Sequence, residues 1–342
     1  MERKRMIIKE LTVKNFRNFS ERTVQFNDGV NVVYGPNGSG KTSILEAVAY
    51  LSNPRSFRGA RDYQVLKVGE KHFEIIGKVI SGDEKHTIEI VYVQHDDKKE
   101  KVAYLDGTKV KRFRDIQEIF IAIPFSFRDY SMVDGGPAQR REFFDEVFSL
   151  LDLDYYETLR AYEKLLDERN EYLKQEPELI DKEYLIETAK DLQIMAEKIV
   201  EKREQMINEL SKYLDKTFKI EYKSEFKGNN FLDYIEQDIA EKVTTVGPHS
   251  QDDYLLYYKD LLARYYASEG QKRLLYLSIV LAFKKLIEET KHYEPVFLFD
   301  EPFNVLDTHL LEKFVSNLSG QVIIASLTPL LGAHNIGLTI EE

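Results

Sequence analysis

Gly35-Pro36-Asn37-Gly38-Ser39-Gly40-Lys41-Thr42 is the stretch on which the reading of this chain turns. It satisfies G-x-x-x-x-G-K-[ST] at every fixed position. Before it, Val30, Val32 and Val33 repeat as in a strand, and after it Ile44, Leu45, Val48 and Leu51 recur at helical spacing. A glycine-rich turn between a strand and a helix lets backbone N–H groups close around an anion, and the helix N-terminus adds about half a positive charge. Gly35, Pro36, Asn37, Gly38, Ser39, Gly40, Lys41, Thr42 and Ser43 are therefore candidate ligands of a nucleotide's phosphates. Lys41 is placed to reach the β- and γ-phosphates, and Thr42 to ligate Mg²⁺. A glycine-rich turn without a ligand would need neither Lys nor Thr.

Outward from this motif the texture is α/β. Ile7, Ile8, Leu11 and Val13, then Val24 and Phe26, alternate in a β pattern, and further strands are expected at about 73–80, 87–94 and 102–105, with Asp106-Gly107 as a hairpin signal. From about 137 to 218 the sequence is long, charged and helix-favouring. Leu192, Met195, Ile199, Met206, Leu210 and Leu214 build an apolar seam along one helix. After about 240 the α/β texture returns, with buried-strand runs at Val296–Phe299 and Val322–Ala325. The expected organisation is a head made of residues 1–135 and 236–342, with 136–235 inserted as a helical arm.

The run Val296-Phe297-Leu298-Phe299 ends in Asp300 and Glu301. Two carboxylates at the end of a buried strand could be no more than a solvated cap. With a phosphate loop elsewhere in the chain, Asp300 becomes a Mg²⁺ ligand, direct or through water, and Glu301 the group that orients and deprotonates an attacking water. Lys41, Asp300 and Glu301 are thus the candidate catalytic residues. Ser268-Glu269-Gly270-Gln271 precedes a helix carrying Leu274, Leu275, Leu277, Ile279 and Leu281; by itself it reads as an ordinary N-cap.

The 342 residues, 43 % of them hydrophobic, suffice for a sizeable core. No apolar run approaches the ~18 residues of a membrane span, and the N-terminus lacks signal-peptide character, so a cytoplasmic protein without a membrane partner is expected. The absence of cysteine excludes disulfides, thiolate metal sites and a thiol nucleophile. A net charge of −11 argues against general coating of nucleic acid, and any DNA site must be a local patch.

The order of S-x-G-Q, then Asp300-Glu301, then Asn304-Val305-Leu306-Asp307 resembles that of ABC-type ATPases. That resemblance implies ATP as ligand, Mg²⁺ as cofactor, and a homodimer in which Ser268, Gly270 and Gln271 of one subunit, with Asp307, complete the site of the other. The long interval between Thr42 and Asp300, filled by helical sequence, is similar to the split heads of the Rad50, SMC and RecF group. Within it the RecF family of bacterial DNA replication and repair proteins is resembled most. The matching segments are Leu11 to Phe19, Leu45-Glu46-Ala47 with Ser56-Phe57-Arg58, Gly136-Pro137 with Arg140-Arg141 and Phe144-Asp145, and Gly247-Pro248-His249 with Asp252-Asp253. The fold class so implied is an ABC-type P-loop ATPase head with an inserted helical arm.

The same resemblance implies an ATP-controlled dimeric clamp at single-strand gaps in duplex DNA, with slow hydrolysis and RecR- and RecO-type mediator partners. It places Arg17 at the nucleotide. The alternative is an ABC-type ATPase of a defence or other system working with a partner effector. Ser250 departs from the family's usual Arg, Asp300-Glu301-Pro302 from its Asp-Asp, and Phe125 to Asp129 from its F-x-P-x-D-L. No histidine follows the strand at 322–325, so Ser326 or Thr328 would serve as the γ-phosphate switch, His334 being too far along.

For DNA, residues 55–71 hold Arg55, Arg58, Arg61, Lys67 and Lys71 against Asp62 and Glu70, and residues 95–114 hold seven Lys or Arg against four acids. Arg55, Arg58, Arg61, Lys109, Lys111 and Arg112 are the candidate phosphate contacts, a kind of contact that needs no base specificity. A solvated hairpin face is the plain alternative for 95–114, and Arg140 and Arg141 could equally form salt bridges at the base of the arm.

Overall fold

The computed structural model describes residues 3–95, 98–300 and 318–340, so Glu301 and Asp307 lie outside the described residues. The chain divides into two units, Met1–Phe127 with Glu288–Glu342, and Arg128–Ile287.

Among the described residues the first unit holds two sheets. β1 (Lys4–Phe16), β2 (Phe19–Gln25), β4 (His72–Ser81), β5 (Glu84–His95), β6 (Lys98–Leu105) and β7 (Thr108–Lys109) are antiparallel neighbours, and β12 (Tyr293–Glu294) joins β1 in parallel. The expected hairpin is present: Asp106 and Gly107 have φ of 50° and 79°, the left-handed pair that a tight two-residue turn requires. The second sheet runs β15 (His334–Gly337), β3 (Val30–Tyr34), β14 (Val322–Ser326), β13 (Val296–Asp300) and β8 (Ala122–Ser126), parallel throughout. Continuous burial along β13 and β14 is what a parallel sheet demands, because both faces are covered.

Helix α1 (Lys41–Ser52) places Ile44, Leu45, Val48 and Leu51 in one cluster with Leu11, Val13, Ile75 and Ile88 of the first sheet and Val33, Leu298 and Ile323 of the second. Gln321, 1 % exposed, fixes the sheets together: its amide oxygen accepts from the Ile8 N–H at 2.8 Å, and its amide nitrogen donates to the carbonyls of Ile8 and Asn27. A short helix α2 (Arg114–Gln117) leads towards β8.

The second unit contains α3 (Ser131–Asp134), α4 (Pro137–Leu151), α5 (Leu153–Leu173), α6 (Lys182–Ser211), α7 (Ile235–Glu241), α8 (Pro248–Gln251), α9 (Ala263–Tyr266) and all but the last residues of α10 (Glu269–Thr290). A three-stranded sheet orders β11 (Leu261–Leu262), β10 (Asp252–Tyr258) and β9 (Phe218–Ser224). The boundaries expected at 135/136 and 235/236 differ from this division. β10 pairs with β9 and packs against α4, and that long-range pairing carries 236–287 into the second unit.

The long helix also corrects the expected seam. α6 has 30 residues, about 45 Å. Its buried face is Leu185, Ala189, Leu192, Ala196, Ile199, Arg203, Ile207 and Leu210; Met195 and Met206 are half-buried, and Leu214 lies beyond the helix end.

Arg203 explains why an arginine can occupy a core position. Its guanidinium donates to Asp145 at 2.6 and 3.0 Å, to Asp252 at 2.9 Å and to the Pro248 carbonyl at 3.1 Å. Asp252 also accepts from Ser224 at 2.6 Å and from the Tyr222 hydroxyl, and Tyr155 donates to Asp145 at 2.5 Å. Beside this knot Arg140 clamps Asp253 with bonds of 2.6 and 2.9 Å, and Arg141 donates to the Asp252 carbonyl. The Arg140-Arg141 and Asp252-Asp253 segments thus meet through one ion pair, Arg140 with Asp253, and one bond from Arg141 to a backbone carbonyl.

Next to Pro248, the His249 ring bonds the Tyr162 hydroxyl at 2.6 Å through Nδ1 and the Thr244 carbonyl through Nε2. Burial pushes its pKa down to about 4, against the pull of the Thr244 carbonyl and with help from Arg141 and Arg203. The folded protein therefore holds His249 neutral, and the unfolded chain binds the extra proton below its ordinary value. Stability from this group is complete above pH ~6.5 and falls as pH drops towards 4. Between pH 7 and 5 the loss should be about 2 kcal/mol. Urea unfolding of wild type and His249→Asn at both pH values checks this, and an equal loss in the variant would assign the effect to other groups.

Candidate functional site

The C-terminal ends of the parallel strands form a row. Tyr34 stands beside Ser326, Ala325 beside Asp300, and Asp300 beside Ser126. Ligands of such sheets gather at this edge. β3 runs directly into residues 35–40, and Gly40 caps α1 in the left-handed region at φ 93°. A Cβ there would come within 2.3 Å of the Phe19 ring, so the position is closed to other residues both by backbone conformation and by space. At Gly38, by contrast, an added Cβ would meet nothing within 4 Å, so the loop's crest is open.

Lys41 is 4 % exposed, and its ammonium bridges back over the loop to the carbonyls of Gly35 at 3.0 Å and Pro36 at 3.1 Å. Thr42 Oγ1 donates to Asp300 Oδ1 at 2.7 Å, joining residues 258 positions apart. Ser39 Oγ is buried and has no hydrogen-bond partner among the described residues. The first turn of α1 carries backbone N–H groups that an α-helix cannot satisfy internally. An orphaned hydroxyl, unsatisfied N–H groups, a buried ammonium and a hydroxyl–carboxylate pair are the donor and acceptor set that a phosphate chain with a hard divalent cation requires.

In the second unit Ser268 and Gln271 cap α10 reciprocally: the Ser268 N–H donates to Gln271 Oε1 at 2.7 Å and the Gln271 N–H to Ser268 Oγ at 3.4 Å. The Gln271 amide also donates to the Tyr258 hydroxyl at 3.2 Å. The plain capping role is therefore real, and it leaves Ser268 and Gly270 exposed, with open space around Gly270.

Residues 7–332 match the family model described as RecF/RecN/SMC N terminal domain. The DNA replication and repair protein RecF of Caldanaerobacter subterraneus subsp. tengcongensis is 32 % identical over 92 % of each chain. That of Lachnoclostridium phytofermentans is 31 % identical over 95 % of this chain and 93 % of its own. The chain belongs to the RecF family. A solved structure of the recombination mediator protein RecF-ATPrS in the RecFOR pathway superposes with a TM-score of 0.87 at 28 % identity, covering 99 % of this chain and 98 % of that one. The fold is that of the ABC-type ATPase head shared by RecF proteins.

Membership in the RecF family gives the remaining motifs a setting. Glu46 on α1, fully buried, accepts from Arg17 at 2.6 and 2.7 Å and from the Ser56 hydroxyl, with Arg58 at 3.9 Å. The Leu45-Glu46-Ala47 and Ser56-Phe57-Arg58 segments thus join around one carboxylate. Arg17, in the left-handed region at φ 57°, also donates to the Gln64 carbonyl at 3.1 Å. Arg17, which the family resemblance places at the nucleotide, is thus fork-bonded to a buried carboxylate in the middle of the helix that follows the loop. Glu46 stands out in the sequence only as part of a matching segment, with no role of its own; Arg17, Glu46, Ser56 and Arg58, scattered over the chain, give no periodic signal.

Ser126 was likewise missed. It shares register and sheet face with Asp300, on the side that Thr42 approaches. Among the switch candidates, Ser326 ends β14 beside Tyr34 and accepts from the Thr328 N–H at 3.2 Å, whereas His334 pairs with Asn31 at the opposite end of β3. Of the DNA candidates, Arg55, Arg61, Lys109, Lys111 and Arg112 are exposed, with Glu100 at 3.7 Å from Lys109 and Asp115 at 2.9 Å from Arg112; Arg58 is half-buried against Glu46. No described helix is long and apolar enough to cross a membrane.

Proposed function

We propose that this protein is an ATP-hydrolysing, DNA-binding component of recombinational repair that works in the cytoplasm as an ATP-controlled homodimeric clamp at single-strand gaps, together with RecR- and RecO-type partners. The observation that carries the reading is the 2.7 Å bond between Thr42 and Asp300, which sets a hydroxyl and a carboxylate suited to a divalent cation beside the glycine-rich loop. The names of the relatives and of the RecF-ATPrS structure support the repair context and the nucleotide.

In this reading the loop from Gly35 to Ser43 wraps the phosphates and Lys41 neutralises the β- and γ-oxygens. Thr42 and Asp300 would hold Mg²⁺, which would supply charge withdrawal from the phosphoryl oxygens. Glu301, the next residue in sequence after Asp300, orients the attacking water and takes its proton. Arg17, which the family resemblance places at the nucleotide, also fixes α1 through Glu46. Ser268, Gly270 and Gln271, with Asp307, complete the partner subunit's site, so that ATP favours the closed dimer. Turnover is slow, as suits a switch.

Binding to a gapped duplex with and without ATP, at two salt concentrations, tests this for wild type and Glu301→Gln. ATP should promote salt-sensitive binding and dimer formation, and the variant should hold DNA longer because the closed state is not discharged. ATP binding with DNA affinity at background in every condition would overturn the clamp.

A further inference from the structure

The two basic segments that the sequence keeps apart meet in the first unit. Lys101 on β6 donates to both carboxylate oxygens of Asp62 at 2.9 Å and to the Pro54 carbonyl. Two residues earlier on the same strand, the Lys99 ammonium lies 4.7 Å from the centre of the Tyr63 ring, and the Lys101 ammonium lies 5.9 Å from that of Phe113. Residues 55–67 and 99–114 together hold ten Lys or Arg against three acids, in a chain whose net charge is −11. Arg55, Arg61, Lys99, Lys111 and Arg112 are exposed here. So are the two rings, Tyr63 by 42 % and Phe113 by 37 %.

Cations alone suffice to hold duplex DNA by its phosphates. Partly exposed aromatic rings among those cations add nothing to that contact, because the bases of a duplex are stacked on one another. An unpaired strand presents base faces, and base-on-ring stacking beside a cationic track is how single strands are held without sequence preference. We propose that this patch binds the unpaired strand, with Tyr63 and Phe113 stacking on bases and Arg55, Arg61, Lys99 and Lys111 neutralising the phosphates between them. The inference rests on the DNA-binding part of the proposed function and names the single-stranded side of the gap as what this patch recognises.

The test uses the full chain with ATP and two duplexes of equal paired length. One is blunt, and the other carries a short single-stranded overhang containing 2-aminopurine. Tyr63→Ala/Phe113→Ala should weaken binding to the overhang substrate about 10-fold or more and abolish 2-aminopurine quenching. Blunt-duplex affinity and ATP binding should be retained. Tyr63→Trp/Phe113→Trp should restore both affinity and quenching, which a variant that merely misfolds could not predict. Equal loss on the two duplexes, or quenching that survives in the alanine variant, overturns the stacking proposal. A wild type that binds ATP but neither duplex overturns the DNA reading beneath it.

Discussion

Lys41→Ala should weaken ATP binding by about 100-fold or more while leaving the fold intact. The ammonium is buried, and its carbonyl partners at 3.0 and 3.1 Å belong to the loop itself. Those bonds hold the ammonium against the loop, where it can be handed to the phosphate oxygens that the loop encloses. Charge-assisted bonds contribute about 1.5–3 kcal/mol each, and two such contacts to the β- and γ-oxygens give the stated factor. Lys41→Arg should not rescue, because a planar fork cannot follow the path of a single ammonium through the closed loop. Titration with a fluorescent ATP analogue, with thermal unfolding as a control, checks both variants. A change of less than about threefold in Lys41→Ala would mean that the phosphates lie elsewhere.

The loop was legible because all of its signals are local. A period of two before Gly35, a period near 3.6 after Lys41 and the fixed residues between them need no knowledge of distant sequence. Asp300 was legible for a similar reason, as a carboxylate ending a run buried on both faces. What could not be read was which distant pieces meet. Nothing local couples Glu46 to Arg17 and Arg58, or Lys101 to Asp62, because each pairing depends on strand order in the sheets. The two units divide at Phe127 and Glu288 because β9 pairs with β10, and composition changes at other positions. Capping and signature readings of Ser268 were not rivals after all, since a reciprocal cap leaves the hydroxyl's residue and Gly270 at the surface.

The same blindness hid the strongest structural device of the second unit. The 3.6-residue repeat along α6 reaches an arginine where an apolar residue is expected, and a pattern search passes over it. Arg203→Met fits that repeat better, yet it should destabilise the second unit by about 3–5 kcal/mol. The side chain is 2 % exposed, Asp252 is fully buried and Asp145 is 16 % exposed. Methionine would fill the volume but leave two carboxylates facing each other with only Arg141 nearby as counter-charge and no guanidinium bonded to both. Tyr155, Tyr222 and Ser224 donate to those carboxylates and cannot neutralise them. Arg203→Lys should recover little, because one ammonium cannot span Asp145, Asp252 and the Pro248 carbonyl at once. Replacing all three charges, Arg203→Met with Asp145→Asn and Asp252→Asn, should regain much of the loss, since neutral amides carry no unpaired charge into the core. Urea unfolding at pH 7 reads each step. A single-variant loss below about 1 kcal/mol would show that water reaches the carboxylates and that the knot carries little of the unit's stability.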